Sequence, residues 1–347
     1  MDEDLTKLPA AGPVPAMTKK DFTSDQMVRW CPGCGDFAIL ASVQKLLPAM
    51  GIPREKYVFV SGIGCSSRFP YYMNTYGMHS IHGRAPTLAT GLKCARPDLQ
   101  VWVITGDGDA LSIGGNHLIH ALRKNVDIKI LLFNNKIYGL TKGQASPTSE
   151  FGKKTKSTPY GSIDHPINPL AIALASEATF VARAVDTDLP SLGEVLRRAA
   201  LHKGSVFVEI LQNCIVFNDG AWADASDKSL RSDALVNLSH GRPLVFGKDK
   251  NRGIRLAKGF TPEVVQFDAG KPPADLLVHD EKAPSPALAH LLAEMGHPPF
   301  PSPVGVFRDI ERPVLHELME GQIAQAKKSG TPDLQRLLTG TETWSVN

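Results

Sequence analysis

The sequence predicts an α/β fold: a mostly parallel, doubly wound sheet followed by an irregular C-terminal extension. Three observations support this. Between residues 36 and 211, short apolar runs rich in strand formers alternate with segments of helical period, the pattern of a parallel sheet covered on both faces. Glycine loops follow two of those runs directly, at Gly62 and at Gly106. After about Phe217 the alternation stops, and Pro, Lys and short helical pieces take over.

Residues 1–25 read as a flexible N-terminal arm, because Pro9, Pro13 and Pro15 oppose a helix. From Asp36 the side chains of Ile39, Val43, Leu46 and Leu47 recur at helical spacing, and Gly51 and Pro53 end that face. Residues 57–60 predict a strand running into the Gly62/Gly64 loop, and small residues predict a helix over 85–95. The strand 100–105 exits through Gly106-Asp107-Gly108; a helix near 115–124, the strand 128–133 and the loop 134–139 complete a βαβ unit. A polar stretch, 141–165, has no periodicity. Two helix–strand pairs follow, 169–177 with 179–185 and 192–202 with 206–211. The α/β domain is therefore expected over 26–217. Residues 218–347, with one clear helix at 314–327, are expected to wrap the core or a partner. Ligands of such sheets bind beyond the carboxyl ends of the strands, where both glycine loops and Cys214 fall.

The chain has 347 residues, 42% hydrophobic and 21% charged, with a formal net charge of +3. That suffices for a large core and is too little charge to argue for nucleic acid or an anionic membrane. The start is acidic and then Pro/Ala-rich, and no run reaches the ~18 apolar residues of a spanning helix, so a soluble cytoplasmic protein is expected. Five cysteines without an export signal argue against a disulfide framework. Metal ligands, redox groups and core thiols all stay open.

Asp107 and Asn135 stand at the exits of two parallel strands, so a carboxylate and an amide oxygen can converge on one cation. Oxygen donors suit Mg²⁺, which keeps phosphate oxygens as well. The glycines let backbone approach a diphosphate, and the following helix offers N–H groups. A Gly-Asp-Gly triplet alone is commonly a turn; its pairing with Asn134-Asn135 makes the signal specific. Cys31 and Cys34 form a C-x-x-C pair just before a helix, where backbone N–H groups favour thiolate. Alone it suits half a zinc site, a redox dithiol or a turn, and no second such pair completes a zinc ribbon. Cys65 and Cys214 are single and past strand ends; four thiolates so gathered suit a [4Fe–4S] cluster. Cys94, among small helical residues, reads as a packed thiol.

Gly106-Asp107-Gly108 with Asn134-Asn135 resembles the thiamine diphosphate (TPP) motif. That resemblance implies Mg²⁺ on Asp107, the Asn135 side chain and the Ile137 carbonyl, with Gly108, Asp109, Gly139 and Leu140 along the diphosphate. Together with WCPGCG, GIGCSS, HGRA and NNKIYGLTKGQ, the stretch from about Val28 to Asn218 is similar to the β subunit of the 2-oxoacid:ferredoxin oxidoreductases. The family resemblance implies one [4Fe–4S] cluster on Cys31, Cys34, Cys65 and Cys214. It also puts Ile63, Gly64, Cys65, Ser66 and His82 at the TPP. The Ser-Pro-Thr-Ser and Lys-Ser-Thr-Pro of residues 141–162, and the long tail, look like the 2-oxoglutarate branch more than the pyruvate one.

Two residues carry open alternatives. His82 is a TPP or substrate contact, or simply a loop residue. Arg68 is a candidate carboxylate clamp, since its fork matches two oxygens, or a surface arginine. The basic run Lys248, Lys250, Arg252, Arg255 and Lys258 could face an acidic ferredoxin, though a solvated loop is the better reading.

The resemblance implies oxidative decarboxylation of 2-oxoglutarate with CoA to succinyl-CoA and CO₂, TPP serving as electron sink and electrons leaving through the cluster to ferredoxin. TPP enzymes draw a glutamate from a second α/β domain, and this chain predicts only one. An α subunit carrying the pyrimidine-binding domain is therefore expected, giving at least a heterodimer. The alternatives are pyruvate or another 2-oxo acid as substrate, a non-redox TPP decarboxylase or carboligase with structural zinc, and a noncatalytic assembly subunit.

Overall fold

A computed structural model describes residues 16–330, 332–344 and 346. In chain order come α1 (Asp36–Ala49), β1 (Tyr57–Ser61), β2 (Tyr76–His79), α2 (Ala85–Ala95), β3 (Gln100–Gly106), α3 (Asp107–Leu111), α4 (Gly115–Arg123) and β4 (Lys129–Asn134). Next are α5 (Pro169–Ala175), β5 (Phe180–Val185), α6 (Leu189–Leu201) and β6 (Val206–Leu211). The remainder holds α7 (Ala223–Ser226), α8 (Arg231–Ala234), β7 (Leu235–Asn237), β8 (Val245–Phe246), β9 (Arg252–Leu256), β10 (Pro262–Gln266), α9 (Ala287–Ala293), β11 (Ser302–Asp309), α10 (Leu315–Lys328) and α11 (Leu334–Thr339).

The main sheet has the order β2-β1-β3-β4-β6-β5-β11-β7, and its first six strands are parallel. Strands β4, β5 and β6 are buried along their whole length, as a sheet covered on both faces requires. Side chains alternate between two cores. Ile130 and Leu132 pack with Leu118, Leu122, Leu170 and Leu174. Leu131 and Phe133 pack with Ile39, Val43, Leu47, Leu192 and Leu196. The period of two in the strand and the helical spacing in α1 thus meet in one interface.

Two expectations need correcting, and one strand was not among them. The sheet does not stop near Phe217: β11 pairs antiparallel with β5, and β7 pairs with β11. Residues 218–347 therefore complete the main sheet and add a small antiparallel one, β10-β9-β8. Pro303, Gly305 and Arg308 interrupt the β pattern in β11, and β7 is only three residues long. The proposed arm is also too long. Residues 1–15 lie outside the described residues, but Phe22 is fully buried against Tyr57, and Thr23 bridges to Met73. Finally, β2 was not foreseen, since Tyr76–His79 is an exposed edge strand without an apolar run.

In the basic run, Arg252 pairs with Asp233, and Arg255 pairs with Glu263 and Asp275, so much of its charge is spent locally. Among the described residues no helix is long and apolar enough to cross a membrane.

Candidate cofactor and metal site

Strand register builds the site. Gly106 pairs with Phe133 and Asn134 with Leu211, so Asp107, Asn135 and Gln212 leave three parallel strands along one rim. A cavity of about 80 Å³ opens there, lined by Ile63, Gly64, Cys65, Ser66, His82, Asp107, Gly108, Asp109, Asn135, Ile137, Gly139 and Leu140. All the residues expected at TPP and its metal are brought together.

Asp107 opens α3 rather than sitting in a loop. Its Oδ2 accepts hydrogen bonds from Ser146 Oγ and Thr148 Oγ1, both at 2.6 Å. Burial still pushes its carboxyl up to about 6, although these hydroxyls and the Gly108 N–H favour the charged form. A buried carboxylate that resists ionisation even when so bonded is well suited to a cation. Asn135 Nδ2 donates to Gln212 Oε1 at 2.9 Å, and its Oδ1 accepts from Ile137 N at 3.1 Å. Amide oxygen, carboxylate and backbone carbonyl make the hard-donor set that Mg²⁺ takes. At Gly108 any Cβ would fall 2.2 Å from the Tyr138 ring, so only glycine fits beneath it.

Asp109 lines the cavity and has a second set of contacts. Its carboxylate faces the surrounding loops: Oδ1 accepts from Ile63 N at 3.0 Å and Gly83 N at 2.7 Å, and Oδ2 accepts from Thr105 Oγ1 at 2.6 Å. It ties the two glycine loops together. A Cβ at Gly62 would fall 1.9 Å from Asp109 Oδ2, which explains the glycine there. His82 Nδ1 lies 2.8 Å from Asp109 Oδ1, close enough for electrostatic pairing but with an angle short of a hydrogen bond.

A second cavity, of about 200 Å³, adjoins the first and is lined by Cys31, Cys34, Cys65 and Cys214. The two share Cys65, Asn135, Gly139 and Leu140. A Cβ on Gly139 would lie 3.6 Å from Cys65 Sγ and 3.7 Å from Cys214 Sγ, so the bare Gly139 backbone passes close to both thiols. Loops hold the sulfurs in place: Cys34 N donates to Cys31 O, Gly35 N to Asn213 O, and Trp30 Nε1 to Cys65 O. Burial pushes the Cys65 thiol up to about 11 and raises those of Cys34 and Cys214. Each of these three is further raised by the buried Asp36 carboxyl, and Cys65 also by Cys214 and Cys31. Backbone N–H groups of Val216, Phe217 and Asn218 partly offset this at Cys214. Four neighbouring soft donors around a roomy cavity fit a sulfur-bridged iron cluster. Among the described residues no three His, Cys, Asp or Glu side chains close on a point that could hold a single ion. Cys94 stands apart, 3.9 Å from Met319 Sδ.

Arg68 lines the cysteine cavity and not the cofactor cavity. Its Nη1 donates to Arg29 O at 3.0 Å, and its charge lowers the Cys65 thiol. That places Arg68 beside the cysteines, one cavity away from the expected TPP. Sequence reasoning gave no role at the site to Ser146, Thr148 or Gln212. Ser146 and Thr148 lay in a stretch without periodicity, whereas Gln212 was legible as the residue beside Asn135 once β4 and β6 were taken as neighbours.

Residues 62–210 match the family model "Thiamine pyrophosphate enzyme, C-terminal TPP binding domain". The chain is 55% identical over 332 residues to the 2-oxoglutarate oxidoreductase subunit KorB of Mycobacterium tuberculosis, covering 94% of this chain and 88% of that one. It is 43% identical over 185 residues to the 2-oxoglutarate synthase subunit KorB of Methanocaldococcus jannaschii, covering 53% and 68%. Among solved structures, a chain of 2-oxoglutarate:ferredoxin oxidoreductase from Magnetococcus marinus superposes with a TM-score of 0.74 at 33% identity, covering 95% of this chain and 98% of that one. That structure has 2-oxoglutarate, coenzyme A and succinyl-CoA bound. A TPP-enzyme fold with identity at this level along nearly its whole length makes this chain a member of the KorB family, the β subunits of the 2-oxoglutarate oxidoreductases.

Proposed function

We propose that this subunit, paired with an α subunit, carries out CoA-dependent oxidative decarboxylation of 2-oxoglutarate to succinyl-CoA and CO₂, passing electrons through a [4Fe–4S] cluster to ferredoxin. The observation that carries this reading is the shared wall: one cavity with hard oxygen donors and one with four thiols meet at Cys65, Asn135, Gly139 and Leu140. When bound, TPP supplies an electron sink for decarboxylation and the cluster a one-electron relay.

Asp107, Asn135 and the Ile137 carbonyl hold Mg²⁺, while Gly108, Gly139 and Leu140 line the diphosphate. Asp109 acts by fixing the loops that carry Ile63 and Gly83. Cys31, Cys34, Cys65 and Cys214 hold the cluster, and Arg29, Arg68 and Lys142 around the same cavity supply the charge an anionic cluster needs. His82 borders the cofactor cavity with Nδ1 against Asp109, which leaves Nε2 to face TPP or substrate. Tyr76, Met78, Ile81, Leu88 and Ile113 are exposed apolar side chains on β2, α2 and the loops beside that cavity. They support an α subunit closing over the site, and the curated relatives are named as subunits.

The test is anaerobic co-purification with the α subunit, followed by iron and sulfide analysis and a panel of 2-oxo acids with a low-potential acceptor. About four irons per β chain and the highest kcat/KM for 2-oxoglutarate are expected. Zinc in place of iron, or full turnover without the α subunit, would overturn the proposal.

A further inference from the structure

Gln212 is buried beside β4, one residue past the Asn134–Leu211 pair. Its Oε1 accepts from Asn135 Nδ2 at 2.9 Å. Its Nε2 donates to Asn213 O at 2.5 Å and lies 3.4 Å from Cys34 Sγ, within hydrogen-bond reach of sulfur. The Asn213 carbonyl can only accept, so the amide's NH₂ end must face it and Cys34, and its oxygen must face Asn135. Asn135 then has to present Nδ2 to Gln212, which turns its own oxygen away, toward Ile137 and the cofactor cavity. One side-chain amide thus spans the wall between the two cavities.

Resting on the reading that Cys34 ligates a cluster and Asn135 a cation, we infer that Gln212 is a positioning residue with two outputs. Its N–H withdraws charge from the Cys34 sulfur, stabilising the reduced cluster and raising its potential, since hydrogen bonds to ligand sulfurs are a main lever on that quantity. Its oxygen fixes the Asn135 amide with the ligating oxygen inward. Diphosphate anchoring and cluster tuning therefore meet in a single residue.

The test uses the αβ complex, purified anaerobically, with Gln212→Glu and Gln212→Met. Glutamate keeps the acceptor for Asn135 but loses the donor to sulfur; methionine loses both. In EPR-monitored redox titrations both variants should have a lower cluster potential, by about the 59 mV that corresponds to a tenfold change for one electron. Exchangeable-proton coupling at the cluster should weaken in both, the backbone N–H groups at Cys214 supplying what remains. Calorimetric affinity for Mg²⁺-TPP should stay near wild type in Gln212→Glu and fall about tenfold in Gln212→Met. Unchanged potentials with intact clusters would overturn this inference alone. So would loss of the cluster from both variants while wild type keeps it, because Gln212 would then be scaffold. A wild-type complex without iron and sulfide would instead overturn the cluster reading, and this inference with it.

Discussion

Thr148 Oγ1 lies 2.6 Å from Asp107 Oδ2, the same oxygen that Ser146 Oγ reaches. Both hydroxyls pin one oxygen of the carboxylate. Thr148→Val keeps the shape and removes the bond. A hydrogen bond to a charged group is worth about 1.5–3 kcal/mol, so Mg²⁺-TPP binding to the complex should weaken roughly 10- to 100-fold. Isothermal titration calorimetry measures this, and an unchanged Kd would reduce Thr148 to a space-filler.

The five cysteines should divide four against one. Serine at Cys31, Cys34, Cys65 or Cys214 should strip the protein of iron, sulfide and its broad visible absorption. Cys94→Ser, at a site beside Met319, should leave all three intact. Retention of a full cluster in any of the first four variants would contradict the assignment.

Arg183 Nε donates to Glu209 Oε2 at 2.7 Å, and Glu209 Oε1 accepts from Asn134 Nδ2 at 2.7 Å, with Glu209 fully buried. Arg183→Met leaves that acid without its cation, and breaking a buried pair this way costs about 3–5 kcal/mol. Replacing both residues by methionine should recover much of the loss. Denaturant midpoints of the three forms decide the matter: a double variant no better than the single one would mean that packing, not charge, governs this site.

Acid should loosen the fold through His202 and Asp309, whose Nδ1 and Oδ1 are 2.9 Å apart. Burial depresses His202 below the usual imidazole range, outweighing Asp309. The unfolded chain therefore takes up that proton first, and the stability contributed is full above about pH 6.5 and lost as pH falls below it. Burial would raise the Asp309 carboxyl, but His202, Lys282 and Arg198 hold it well below the carboxylate range. Its contribution persists above about pH 3.9 and fades as pH falls toward the depressed value. Thermal melts should show Tm declining as pH drops through 6, with His202→Gln flattening the upper part of that decline. A Tm independent of pH between about 7.5 and 5 would contradict this.

Much of this architecture was legible in the chain itself. Helix 85–95 and strand 206–211 were read at their observed limits, because small residues and β-branched runs leave few alternatives. Asp107 and Asn135 could be paired because a βαβ unit forces neighbouring strand exits to the same edge. What escaped depended on contacts between distant segments. The carboxylate of Asp109, bonded to Ile63, Gly83 and Thr105, joins segments that no local pattern links. The hydroxyls on Asp107 come from a polar stretch whose path follows no local period. β11 was hidden by Pro303 and Gly305, which a strand tolerates only where its neighbours make up the lost pairing.

The insertion of β11 between β5 and β7 has a consequence for biosynthesis. A ribosome must translate as far as Asp309 before the free margin of β5 can be capped. Until then the nascent polypeptide carries a strand meant for full burial with one edge of its amides unpaired, an invitation to aggregation. Nonsense codons or proteolytic nicks well downstream of the cofactor residues should therefore be as damaging as lesions among them.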